Sequence, residues 1–103
     1  MINIFTEAIK EKKLIEVTFF AKKDNLNRTR KCVPFDFAYG KRDKNPIQKY
    51  QLYDLDSPIG RHNLALEESQ IINLVKLNES FNPADYISWE PNWELARDWG
   101  EYS

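Results

Sequence analysis

Ile2, Phe5 and Ile9 recur at three- and four-residue intervals, and Glu7, Lys10, Glu11, Lys12 and Lys13 occupy positions between and after them. That period predicts an amphipathic helix over residues 2–12, with Leu14 continuing the apolar stripe. From Leu14 the pattern changes to β-branched and aromatic residues, LIEVTFF over 14–20. This is strand composition, with Ile15, Val17 and Phe19 on one face and Leu14, Glu16, Thr18 and Phe20 on the other. AKKDNLN at 21–27 is a polar turn with Asp24-Asn25 at its tip. RTRKCVPFDFAY at 28–39 is a second strand. Pro34 has no N–H for a ladder, so the strand either bends there or lies at an edge at that point. GKRDKNP, 40–46, is a basic loop.

The stretch KYQLYDLDSPIGRHNLAL, 49–66, reads as a hairpin turning at DSPIG, 56–60. EESQ at 67–70 has the length of one helical turn, and IINLVKL at 71–77 is a last buried strand. One leading helix followed by about five short antiparallel strands makes the fold class mainly β. It predicts a rolled sheet or a small barrel, which removes exposed edges.

Beyond Asn78 the chain becomes aromatic and acidic. Pro91 suits the first turn of a short helix over 91–99, with Trp93 and Ala96 on one face and Trp99 one step along it. The expected organisation is a barrel domain, 1–86, and a Trp-rich extension, 87–103. Trp89, Trp93 and Trp99 are too apolar to be left in water. Either they pack on the barrel, or they form a surface that docks a protein partner or a second copy of the chain.

Length and composition fit a single domain with 42% hydrophobic residues. No apolar run reaches the length of a membrane span, and no uninterrupted apolar segment opens the chain as in a signal peptide. No membrane partner is expected. A single cysteine, Cys32, cannot pair within the chain, which suits a reducing cytoplasm. Cys32 itself reads as a small strand residue rather than a reactive thiol. The net charge of −1 conceals +6 over residues 1–50 and −7 over residues 51–103. Two outcomes follow: a basic surface with an acidic tail folded against it or away from it, or two sets that mix on one surface and cancel.

The order of segments resembles the WYL domain, a ligand- and nucleic-acid-sensing module usually attached to bacterial transcription regulators. The resemblance is carried by the helix AIKEKKLI running into EVTFF, by the Pro-containing basic strand RTRKCVPFDF, and by YQLYDLDSPIGR, IINLVKL and ESFNPADY. It covers roughly residues 5–86. Tyr53-Asp54 matches the family's "YD", Arg61 follows at the expected spacing, and Phe81, Pro83 and Tyr86 match a closing FxPxxY. Aligned on Tyr53-Asp54, the family's naming triplet falls on Gln48, Lys49 and Tyr50 and is not matched; one residue of slip leaves Tyr50 and Leu52. LEESQ is inserted after the Arg-led strand, and the usual helix-turn-helix is absent from the chain. The resemblance implies a Sm-like, SH3-type β-barrel with a helix at its start. It also implies a role for Arg61 in an anion-binding surface.

Candidate chemistry is that of binding. Arg28 and Arg30 share a strand face, the loop adds Lys41, Arg42 and Lys44, and Tyr39, Tyr50 and Tyr53 lie among them. Cations for phosphates and ring faces for bases are what single-stranded nucleic acid requires. The expected ligand- or nucleic-acid-binding residues are Arg28, Arg30, Lys49, Tyr50, Arg61 and His62, with Tyr50 stacking a base. The chain contains no HExxH, no zinc-type Cys/His cluster and no Gly-rich phosphate loop. A non-enzymatic domain without cofactor or metal is expected, binding a nucleotide or single-stranded nucleic acid. The competing expectation is a protein-interaction module working through the tail.

Overall fold

Helix α1 spans Ile2–Glu11 and buries Phe5, Ala8 and Ile9, the stripe read from the sequence. It stops within one residue. Lys12 adopts left-handed backbone, φ 55°, and its N–H reaches back to the carbonyls of Ala8 and Ile9. A non-glycine residue there costs about 1–2 kcal/mol, and the turn delivers the chain directly into the first strand. The computed structural model describes residues 1–40 and 47–103, so the expected contribution of Lys41, Arg42 and Lys44 lies outside the described residues.

Five antiparallel strands form one sheet: β1 (Lys13–Ala21), β2 (Leu26–Tyr39), β3 (Gln48–Asp54), β4 (Asn63–Leu66) and β5 (Ile71–Ser80). Their order is β4-β3-β2-β1-β5, so consecutive strands pair until β5 returns to lie beside β1. Asn25, φ 53°, supplies the tip of the β1–β2 turn. Between β4 and β5 a single 3₁₀ turn, Glu68–Gln70, changes the chain's direction. The Gln70 side chain secures this turn, accepting from the Glu67 N–H at 3.0 Å and donating to the Phe20 carbonyl at 3.1 Å.

The sheet does not close into the expected barrel. β4 and β5 are its two outer strands, and no β4–β5 pairing is present among the described residues. β4 is only four residues long, and β5 takes its partners from β1. One face is covered by α1, and part of the other by the C-terminal segment, while Glu16, Phe20 and Val75 of that second face stay exposed. Opposed residues in an antiparallel pair point the same way, and the register aligns Ile15 with Cys32 and Cys32 with Asp54. On this face Ile15, Val17, Cys32, Tyr50, Leu52 and Leu66 are buried together with α1. Lys76, opposite Ile15, holds the helix from the rim through Glu7 and Glu11, at 3.3 and 2.9 Å. The other face carries Leu14, Val33 and Tyr53, and the C-terminal segment lies over it.

Pro34 meets both sequence expectations. β1 pairing ends at Cys32, and the β3 ladder breaks by one residue between Pro34 and Asp36. The missing N–H therefore falls where ladder bonds are fewest.

Residues 91–99 are not helical, and after β5 the chain forms only two 3₁₀ turns, Pro83–Asp85 and Gly100–Tyr102. Trp93 and Trp99 both point into the protein. On a helix, six residues of separation would place them about 120° apart. The extended path lets both reach the same cluster. Ile87 and Trp99 belong to the same buried core as α1 and the sheet, so 1–86 and 87–103 share one interior.

The two halves' opposite charges interleave. Lys22 pairs with Glu67 at 3.3 Å, Lys31 with Glu79 at 2.8 Å, and Arg30 with Asp54 at 3.5 Å. Among the described residues the mixed surface therefore prevails over a segregated one.

Tyr50 tests this architecture. Its ring is fully buried between Phe5 at 4.9 Å and Phe37 at 4.6 Å, and its hydroxyl donates to Glu68 at 3.2 Å. Burial, then the Glu68 carboxylate, push the phenol from 10.0 up to about 12. Tyr50→Phe is expected to cost about 1 kcal/mol at neutral pH. The unfolded chain ionises near 10 and the folded one only near 12. Wild type should therefore lose its advantage over Tyr50→Phe as pH rises through that window. Urea midpoints of both proteins below and above the window check the size and the sign.

Candidate ligand groove

The interruption at Pro34–Asp36 builds the site. An unbroken strand would send Phe35 and Asp36 to opposite faces. With one extra residue in β2, Asp36 aligns with Gln51, and Phe35 still touches Tyr53 at 6.1 Å between ring centroids. Both side chains thus face the C-terminal segment. Phe35 meets Trp89 at 5.9 Å and Trp93 at 5.8 Å.

Asp36 is buried and fastens that segment. Its Oδ1 accepts from the Phe37 N–H at 3.0 Å and the Leu95 N–H at 3.0 Å, and its Oδ2 from the Glu94 N–H at 2.9 Å. Arg97 Nη2 lies 3.5 Å from Oδ1. The Arg97 side chain is 1% exposed. Its guanidinium sits 4.0 Å from the Trp93 ring centre and 4.4 Å from that of Trp99. Burial lowers its pKa from 12.5 to about 10, against the opposing pull of Asp36, so it stays charged at neutral pH. Nη1 is buried, with no hydrogen-bond partner among the described residues. The indoles anchor the remaining length. Trp99 Nε1 donates to the Ile9 carbonyl of α1 at 2.8 Å, and Trp93 Nε1 to the Tyr102 carbonyl at 2.8 Å.

Between this fastened segment and the sheet lies an open groove of about 590 Å³. One wall is sheet: Asp36, Ala38 and Tyr39 of β2, Gln51 of β3, and Asn63 and Ala65 of β4. The other is the segment itself: Trp89, Glu90, Asn92 and Trp93. Rings offer stacking surfaces, the amides of Gln51, Asn63 and Asn92 both donate and accept, and Glu90 accepts. Asp36 is already occupied by the N–H groups it holds. The described lining contains neither Lys nor Arg. Such a groove suits a planar polar group without its own negative charge.

The expected site residues do not converge. Tyr50 is buried beneath α1 and cannot stack a base, because its ring fills the core. Arg28 and Arg30 do share a face, opposite Phe19 and Val17, but each is bound to a carboxylate: Asp24 at 2.9 Å and Asp54 at 3.5 Å. Arg61 is exposed in the β3–β4 connection. His62 lies flat on Tyr53, 4.6 Å between centroids and 7° between planes, with Nδ1 2.6 Å from the Asp54 carbonyl. Lys49 shares the groove's face, as the register partner of groove-lining Ala38 and two residues from Gln51, and His62 lies on that face through its stack on Tyr53. Cys32 is buried, and desolvation together with Asp54 and Asp56 drives its thiol far above the ordinary range, which makes it unreactive.

Tyr53 packs on Tyr86 at 5.0 Å, and Phe81 on Tyr86 at 6.4 Å and Trp99 at 5.4 Å. The groove residues themselves escaped the sequence. The one available signal was an aspartate inside the apolar run PFDF just after a strand proline, a pattern that marks a paired buried carboxylate at a bulge. Comparison with protein-family models, with curated proteins and with solved structures finds no match to this chain. No group of three or more His, Cys, Asp or Glu that would hold a metal occurs among the described residues, and no described helix is long and apolar enough to cross a membrane.

The tail tryptophans differ in exposure, Trp99 being 3% and Trp89 48% exposed. Trp99→Ala is expected to cost about 3–5 kcal/mol, the range for emptying a large aromatic site. Trp89→Ala should cost less than about 1 kcal/mol, since half its ring already meets water. Urea denaturation of the two variants separates a core tail from a merely adhering one.

Proposed function

We propose that this chain is a non-enzymatic, WYL-like binding domain that holds the base of a nucleotide or of single-stranded nucleic acid in the groove between sheet and tail. The observation that carries the proposal is the lining: rings of Tyr39, Trp89 and Trp93 beside three side-chain amides, on a face shared with Lys49. Rings and amides read a base, and a cation beside them favours the attached phosphate. The helix-first meander with a 3₁₀ turn before the last strand supports the WYL-like, Sm-type assignment. The single cysteine, buried as a thiol, supports a cytoplasmic setting. Compared with the expectation from sequence, recognition moves from Arg28, Arg30 and Tyr50 to the groove, with Lys49 retained. A second reading, a protein-interaction or oligomerisation module, draws its support from half-exposed Trp89.

Titration of labelled single-stranded DNA and RNA at two salt concentrations, with nucleoside monophosphates as competitors, tests the proposal. Trp89→Ala should weaken binding by about 1–3 kcal/mol, the worth of one base stack. Lys49→Ala should reduce the salt dependence by about one phosphate contact. Binding by no nucleotide or oligonucleotide would overturn the proposal. A wild-type dimer that Trp89→Ala disperses would favour the second reading.

A further inference from the structure

One wall of the groove is not part of the sheet. Trp89, Glu90, Asn92 and Trp93 belong to a segment without helix or strand. Its two ends are set in the core by Ile87 and Trp99, and between them it is held by the Asp36 carboxylate, the contacts of Arg97 and the rings of Trp89 and Trp93 against Phe35. The Arg97–Asp36 contact is finely balanced. The Arg97 guanidinium is removed from water, one of its nitrogens is buried without a partner, and its distance to the carboxylate is long. Buried ion pairs of this kind roughly break even against the loss of hydration. The sheet beneath keeps its own ladders and α1.

We propose that residues 88–98, between the core anchors Ile87 and Trp99, act as a hinged wall that docks through Asp36, and that the groove binds ligand only in the docked state. The coupling rests on the groove being the nucleotide site proposed above. A ligand touching both walls stabilises the docked form by its differential affinity, and the apparent affinity falls with the docked fraction. Ligand occupancy is thereby converted into the position of the C-terminal segment. The polarity of the lock is the reverse of an acidic tail competing for a basic surface: the tail supplies the cation and the sheet the carboxylate.

Amide hydrogen exchange on the full chain, wild type and Asp36→Asn, each with and without an oligo(dT) of about ten residues, tests both parts. In Asp36→Asn the amides of Glu94 and Leu95 should exchange about tenfold faster or more, with those of β1–β3 unchanged. Oligo(dT) affinity should fall by a similar factor, and oligo(dT) should slow tail exchange in wild type. If Asp36→Asn does not fold, Leu95→Pro removes one donor to Asp36 without altering the sheet; there the Glu94 amide is the exchange reporter, and the expectation for affinity is the same. Exchange of tail and sheet as one unit in both proteins overturns the hinged wall. A released tail with undiminished oligo(dT) binding overturns the coupling. Absence of oligo(dT) binding by wild type, whatever its exchange pattern, overturns the nucleic-acid assignment of the groove and the coupling with it.

Discussion

A single carboxylate sets the relation between the sheet and everything that follows β5. Asp36 accepts two N–H groups from the tail and one from its own strand, and faces the one buried cation of the tail. A buried carboxylate is tolerated only when its lone pairs are filled. The tail's extended backbone has donors to fill them because no helix consumes them. Each solves the other's problem, and the groove is the space left between them.

The bulge makes this possible. Pro34 withholds a donor, the β2–β3 register slips by one, and Phe35 and Asp36 both face the side on which the tail lies. A ring and a carboxylate side by side then recruit complementary groups: indoles for the ring, N–H groups and a guanidinium for the carboxylate. Arg97 serves both, stacked near two Trp rings and directed at Asp36. Such stacking suits a weakly hydrated planar cation better than it would suit lysine.

The opposite face follows a different logic. There α1 lies over aliphatic and aromatic side chains, and polar groups are confined to the rim, where Lys76 meets Glu7 and Glu11. Tyr50 and Asp54 are the exceptions: the Tyr50 hydroxyl reaches Glu68 beside the 3₁₀ turn, and buried Asp54 pairs with Arg30. One face therefore carries general hydrophobic burial, and the other an aromatic and hydrogen-bonded assembly that is specific in geometry.

Much of the secondary structure was legible because it is local. The helical period of Ile2, Phe5 and Ile9, the alternation of Ile15, Val17 and Phe19, and the special role of Pro34 are properties of neighbouring residues, and folding preserves them. Sheet closure, the tail's path and the site are not local. The sequence showed aromatic and charged residues in quantity, but their ownership depends on partners far along the chain. Tyr50 is core because α1 covers it, Arg30 is engaged because Asp54 lies near it, and residues 94 and 95, expected in a helix, give their N–H groups to Asp36. By itself the sequence determined which segments are helix or strand and that the chain forms a mainly β domain. Tertiary structure alone decided which polar and aromatic groups are spent on the interior and which line a groove. Long-range contacts, not local periodicity, satisfy a buried charge.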